Sequence, residues 1–267
     1  MDNKIITDLA KSTKKLNLTN NQLTLSQKQG IFHQIATNSV LTHLIMSGIN
    51  LQNVPPHQIG YATHILQLLD ITFCNLTKEQ CMVIMTEASS SDHLLELYLS
   101  ANQNVRHVPD HLFFKAICKL KHIELYLCKL TGTQLNSVVK GISKSKTIKR
   151  VSIQDSGSFR YTNPSTLGSA FAKLDHLSIS VSQLSNLQLK VYLLCIYHTR
   201  WRSRTLILER AKHFMKKKCG LTRIPYSFNT IGISDKTLTK IRKNCKLKLN
   251  RSPNYRWQLS PNSWEME

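Results

Sequence analysis

Leu66-Gln67-Leu68-Leu69-Asp70-Ile71-Thr72-Phe73-Cys74-Asn75-Leu76 places Leu66, Leu69, Ile71, Cys74 and Leu76 in the frame LxxLxLxxCxL. The frame recurs along the chain. Leu94, Leu97, Leu99 and Asn102 fit it, as do Leu120, Ile123, Leu125, Cys128 and Leu130. So do Leu41, Leu44, Met46 and Leu51, and Leu174, Leu177, Ile179, Ser182 and Leu184. A weaker copy holds Ile148, Val151, Ile153 and Ser156, and the first holds Leu16, Leu18, Asn21 and Leu23 behind a polar Thr13. Seven copies therefore open at positions 13, 41, 66, 94, 120, 148 and 174, in steps of 28 alternating with 25 or 26. Self-similarity at such a period is the mark of a stacked repeat architecture.

The alternating step implies a unit of two repeats. Thr24-x-x-Gln27, Thr77-x-x-Gln80, Thr131-x-x-Gln134 and Ser185-x-x-Gln188 fall in alternate copies, at intervals of 53, 54 and 54. Each reads as a capping box, in which a hydroxyl and a Gln side chain satisfy orphan amides at a helix start. The intervening copies carry Val54-Pro55-x-His57, Val108-Pro109-x-His111 and Pro164. Proline suits a first helical turn, where its missing N–H costs nothing. The LxL segments are thus short strands, and stretches such as Gln80 to Ala88 and Gln134 to Ile142 are helices.

One strand and one helix cannot bury an apolar face alone, so neighbouring units stack and share a core. The expected fold is α/β: a leucine-rich-repeat solenoid curved like a horseshoe, with parallel strands on the concave face and helices on the convex one. It spans residues 13–198, between an N-terminal segment (1–12) and a basic C-terminal extension (199–267) that caps it in part. The polar Thr13 suits an end repeat facing water.

The frame resembles the leucine-rich repeats of the ribonuclease-inhibitor type, also found in NOD-like receptors and Ran GTPase-activating proteins. The succession Cys74, Asn102, Cys128 is similar to the alternating Cys-type and Asn-type repeats of that family, and LLDITFCNLTKEQCMVIM followed by LLELYLSAN carries the likeness most closely. The resemblance covers about residues 13–198 and implies an architecture rather than an activity. Ser156 and Ser182 depart from the pattern, as does Gly157-Ser158-Phe159 where an apolar turn is expected.

Composition narrows the class. Apolar residues make up 41% of the chain, ordinary for a folded protein. The start MDNKIITDLAKSTKK lacks the apolar stretch of a signal peptide. The run Val191 to Cys195, extended by Ile196 and Tyr197, is too short to span a bilayer. Seven scattered cysteines fit free thiols better than a disulfide framework, which predicts an intracellular protein, cytoplasmic or nuclear.

No catalytic residue, metal site or cofactor is expected. No nucleophile elbow, P-loop, zinc-protease or dinucleotide motif occurs. Cys74 and Cys128 read as buried thiols in the turn after a strand. His107 and His111 have the spacing of a helical metal pair, but Pro109 intervenes, His111 is the repeat copy of His57, and zinc needs further ligands. Ran GTPase-activating proteins share the repeat, yet no position carries over as catalytic and their acidic tail has no counterpart.

The concave face is more informative. The residue between the two inward apolar positions of each strand is Asn17, Ile45, Asp70, Tyr98, Glu124, Ser152 and Ser178 in turn. The column before reads Lys15, His43, Leu68, Glu96, His122, Arg150 and His176, and the column after reads Thr19, Ser47, Thr72, Ser100, Tyr126, Gln154 and Ser180. Neighbouring strands lie about 4.8 Å apart, so Asp70, Glu96, Tyr98, His122, Glu124 and Tyr126 gather on repeats three to five. Tyrosines beside charges suit interface anchors, and the expected ligand is a partner protein with a basic or mixed-charge surface. The alternative is a solvated face on which Glu96, His122 and Arg150 pair across strands.

The net charge of +21 is uneven: residues 187–267 carry 18 Lys or Arg against four acidic groups and hold all three tryptophans. Thr205 to Cys219 is read as a helix with an apolar stripe through Leu206, Ile207, Ala211, Phe214 and Met215, and Ser234 to Lys243 as a second. Arg200, Trp201, Arg202 and Arg204 form one basic cluster, Lys216, Lys217 and Lys218 another, and Lys240 to Lys248 a third, with Arg256-Trp257 beyond. Cations interleaved with aromatics suit phosphate contact with stacking, so nucleic-acid or anionic-surface binding is the alternative function.

Overall fold

The computed structural model describes residues 3–37, 40–154 and 157–180, residues 184, 185, 187, 188 and 191, and the segments 204–209 and 245–248. Seven short strands fall on the seven LxL segments: β1 (Lys15–Asn17), β2 (His43–Ile45), β3 (Leu68–Asp70), β4 (Glu96–Tyr98), β5 (His122–Glu124), β6 (Arg150–Ile153) and β7 (His176–Ser180). Helices alternate with them: α1 (Asn3–Ser12), α2 (Leu25–Thr37), α3 (Pro56–Ile65), α4 (Lys78–Ser90), α5 (Asp110–Lys119), α6 (Gly132–Lys144) and α7 (Pro164–Phe171). The strands pair in parallel, and their order in the sheet is their order in the chain. Each helix packs on its chain neighbours. This is an α/β fold with a repeat-like parallel sheet.

The register lines up the expected columns. Leu16, Leu44, Leu69, Leu97, Ile123, Val151 and Leu177 form one row across the sheet. These residues are buried, together with the next apolar position of each frame and Phe32, Phe113, Phe159 and Phe171 between sheet and helices. Alternation along a strand sends the flanking residues to the opposite face, helix-free in that the helices among the described residues pack on the other side.

All four expected capping boxes form. Thr77 Oγ1 accepts from Gln80 N while Thr77 N donates to Gln80 Oε1, and the same pair of bonds closes Thr24–Gln27, Thr131–Gln134 and Ser185–Gln188. The glutamines also do something that spacing did not disclose. The amide of Gln80 donates to the Leu51 and Val54 carbonyls of the preceding repeat at 2.8 and 2.6 Å. Gln134 reaches Arg106 and Val108 at 3.0 and 2.6 Å, and Gln188 reaches Phe159 and Thr162 at 2.7 and 2.8 Å. Each therefore caps its own helix and clamps the loop before it, satisfying buried carbonyls that no ladder reaches.

A second ladder runs through the turns after the strands. Cys74 Sγ donates to Met46 O at 3.2 Å, Asn102 Nδ2 to Ile71 O at 2.9 Å, and Cys128 Sγ to Leu99 O at 3.3 Å. Asn102 also donates to Leu99 O and accepts from the backbone amides of Cys74 and Leu76. A third regularity is conformational. Asn20, Gly48, Phe73, Ala101 and Leu127 occupy one repeat position, and all have φ between 55° and 79°. Their amides donate to Ser47, Thr72, Ser100, Tyr126 and Gln154 carbonyls respectively, one repeat on, at 2.7–3.1 Å. The left-handed turn aims each N–H into the next repeat.

At the first end, α1 packs on α2 and buries Ala10, so a helix covers the core beside Thr13. The departure at Gly157-Ser158-Phe159 is absorbed. Phe159 is fully buried, edge-on to Phe171 at 5.5 Å between centroids, and Gly157 N donates to Leu130 O.

The helix expected over Thr205–Cys219 is corrected where its start is described. Arg204–Glu209 is a strand, β8, parallel to β7, and Cys245–Lys248 is a further parallel strand, β9. Leu206 pairs with Leu177 and Leu208 with Ile179, so Leu206-Ile207-Leu208 is an eighth LxL segment. Its helical periodicity loses to pairing with the unpaired edge of β7, because a short apolar run fits either period. Residues 210–219, and the helix expected over Ser234–Lys243, lie outside the described residues, as do Arg200, Trp201, Arg202, Lys216, Lys217 and Lys218. Arg204 opens β8. Among the described residues, no helix is long and apolar enough to cross a membrane.

Candidate functional site

The helix-free face brings the six expected residues onto β3, β4, β5 and the turn after β5. Asp70, Tyr98, Glu124 and Ser152 stand in one row, and Leu68, Glu96, His122 and Arg150 in the row beside it. Asp70, Glu96, Tyr98, His122 and Glu124 are linked by polar contacts or a shared field, and they differ in exposure from the picture of upright anchors.

Tyr98 is buried, only 8% exposed. Its hydroxyl donates to Glu96 Oε2 at 2.6 Å and meets His122 Nδ1 at 2.9 Å. Because that hydroxyl proton goes to Glu96, Nδ1 is the donor to the phenol oxygen. The two rings also meet edge to face, 4.7 Å between centroids. Tyr98 is therefore a support for its neighbours. Tyr126 is half-buried, and its amide donates to Ser100 Oγ at 3.2 Å. The sequence puts both tyrosines on this face but does not reveal that one is packed beneath the other residues' side chains.

His122 is the centre of the cluster. Its side chain is buried between Glu96 Oε2, 3.6 Å from Nδ1, and Glu124 Oε1, 3.4 Å from Nε2. The second approach is an ion-pair contact without the direction of a hydrogen bond, and Nε2 is a buried atom without a hydrogen-bond partner. Burial alone would lower the basicity of the ring. Glu124 and Glu96 outweigh it, and the pKa of His122 is raised. Conversely, His122 is the chief reason that Glu96 is held down to about 2, against the opposing effect of burial and with help from Tyr98 and the charge of exposed Arg150. Part of the expected cross-strand pairing thus exists, between Glu96 and His122.

Asp70 lies at the rim of this network. Its Oδ1 accepts from Thr72 N at 2.9 Å. Burial pushes its pKa up, the Thr72 amide opposes that, and the field of Glu124 adds to the rise. Burial likewise pushes the Tyr98 hydroxyl well above its usual range, which keeps it a proton donor to Glu96.

Elsewhere the chemistry-bearing residues are quiet. Burial raises the Cys74, Cys81 and Cys128 thiols to about 12, so they are not nucleophiles near neutral pH. His107 is exposed and accepts from Arg106 Nε at 3.2 Å. Among the described residues, no three His, Cys, Asp or Glu side chains are grouped to hold a metal ion.

The class of protein defined so far is a repeat-like α/β protein whose parallel strands alternate with helices. No family model matches the chain, and no curated protein matches it.

Proposed function

We propose that the chain is a non-enzymatic protein-interaction module, a leucine-rich-repeat solenoid of the ribonuclease-inhibitor type that holds a partner protein on the helix-free, concave face of its sheet. What supports the repeat type is the coincidence of three regular features: the Cys–Asn–Cys ladder, the alternating glutamine clamps, and the left-handed turn in successive repeats. The observation that carries the function is the cluster of Asp70, Glu96, Tyr98, His122 and Glu124, where a surface strand face holds a buried histidine and three carboxylates in place of isolated solvated groups. An acidic, aromatic patch on a chain of net charge +21 is complementary to basic or mixed-charge protein surfaces.

The test replaces Tyr126 with a photo-crosslinking residue and exposes the full chain to nuclease-treated lysate, with the same replacement at Tyr61, exposed on α3, as control. One partner crosslinked at Tyr126 and lost with Glu124→Gln is the expected result. Crosslinking at Tyr61 alone, or capture that vanishes with nuclease, refutes the reading. The second reading, nucleic-acid or anionic-surface binding, rests on the 18 cations of residues 187–267. It predicts that changing Lys216, Lys217 and Lys218 to Glu abolishes capture and that binding falls steeply with salt.

A further inference from the structure

We propose that Asp70 and Glu124 together take one arginine side chain of the partner, and that its arrival displaces the proton on His122 Nε2. The inference rests on the reading of this face as the binding surface.

The geometry begins with the row Asp70–Tyr98–Glu124. Two strand spacings separate the acids, about 10 Å between backbones, and the charge of Glu124 adds to the rise in the Asp70 pKa. Tyr98 between them is buried and its hydroxyl points to Glu96, so it forms a floor and leaves the carboxylates as the row's charged groups. Asp70 is held by hydrogen bonds from Thr72 on its own side of the row, and the Glu124 side chain is 27% exposed. A guanidinium presents donors on opposite edges of a rigid plane and can bridge two carboxylates, whereas an ammonium is a compact point charge. Arginine is therefore the side chain that this row fits.

The second observation is His122, 5% exposed, whose Nε2 lies 3.4 Å from Glu124 Oε1 without forming a hydrogen bond. Nδ1 is already the donor to Tyr98, so a neutral ring would turn a lone pair toward the Glu124 carboxylate. The cluster is short of one donor. A proton on Nε2 supplies it in the free protein, and a guanidinium on Glu124 supplies it in the complex. The groups facing His122 are Glu96 and Tyr98 on β4, Glu124 on its own strand and Arg150 on β6, with Asp70 two strands away. Of these, only Glu124 lies both against Nε2 and beside the Asp70 row. A cation on Glu124 weakens its hold on the imidazolium, so binding releases a proton and affinity rises with pH through the titration of His122. Protonation of Asp70 at lower pH acts in the same direction.

The test uses the full chain with labelled histidine rings. His122 is assigned by His122→Gln, and its titration is followed by NMR in N-acetyl-arginine amide and in N-acetyl-citrulline amide, the neutral isostere. The expected result is a fall of about one unit in the His122 titration midpoint with the arginine probe, equivalent to about a tenfold affinity change between the two protonation states. Citrulline should cause no shift, and neither should arginine with Glu124→Gln or Asp70→Asn. An unmoved midpoint with arginine, or an equal shift with citrulline, overturns the inference, whatever crosslinking at Tyr126 decides about the face as a whole.

Discussion

Two columns of polar side chains run through the same repeats, a few residues apart, and they are finished differently. In the turns, Asn102 is buried and its amide group both donates to and accepts from backbone groups of its own and the preceding repeat. On the helix-free face, His122 is equally buried, yet one ring nitrogen lacks a hydrogen bond, and nearby Asp70 carries its charge against burial. Backbone-satisfied polar groups hold an architecture together. Under-satisfied ones cost stability and persist where something else uses them.

The contrast can be broken by substitution, and the turn column should break hardest. Asn102→Ala strands the buried amides of Cys74 and Leu76 and the Ile71 carbonyl, and leaves the Leu99 carbonyl to the weak Cys128 thiol donor. A loss of at least about 3 kcal/mol in denaturant unfolding is expected, since each orphaned buried group costs about 1–3 kcal/mol. Gln134→Ala, which removes both a cap and a clamp, should cost about 2 kcal/mol. The face column should behave oppositely. Asp70→Asn retains an oxygen for the Thr72 amide but removes a desolvated charge. A gain of up to about 1 kcal/mol at neutral pH is expected in the same assay. Ala101→Gly relieves a left-handed residue with φ 60° while keeping its bond to Tyr126 O, and should gain about 1 kcal/mol or less.

The pH dependence sharpens the same comparison. The folded pKa of His122 is raised above its ordinary 6.5. Its stabilising contribution is therefore complete below that value and is lost as pH rises through the folded value. Glu96, depressed from 4.5 to about 2, contributes stability above 4.5 that is lost as pH falls toward 2. Melting temperatures of the wild type should decline across the range just above pH 6.5, and His122→Gln should flatten that decline.

The sequence disclosed the skeleton because the skeleton is periodic. The strand columns read from the LxL frame are the observed register, from Lys15–His43 through Arg150–His176. Helix starts were legible because Thr-x-x-Gln is a local signal. The clamp made by Gln80 was not, since it depends on where the Leu51 and Val54 carbonyls end up. Nor was the left-handed turn, because Asn20, Gly48, Phe73, Ala101 and Leu127 share a conformation and no chemistry. The strand at Thr205 is not legible because its short apolar run, Leu206-Ile207-Leu208, fits a helical period as well as an extended one, and only pairing with β7 decides between them. At the candidate site, spacing gathered the residues on one face. It could not tell that Tyr98 would lie beneath them, or that His122 would be short of a bond.

The most direct measurement pairs stability with capture in one chain carrying Asp70→Asn and Glu124→Gln. A binding face predicts a melting temperature at or above that of wild type together with loss of the partner crosslinked at Tyr126. A chain that melts as wild type and still captures that partner undiminished would contradict the assignment of this face.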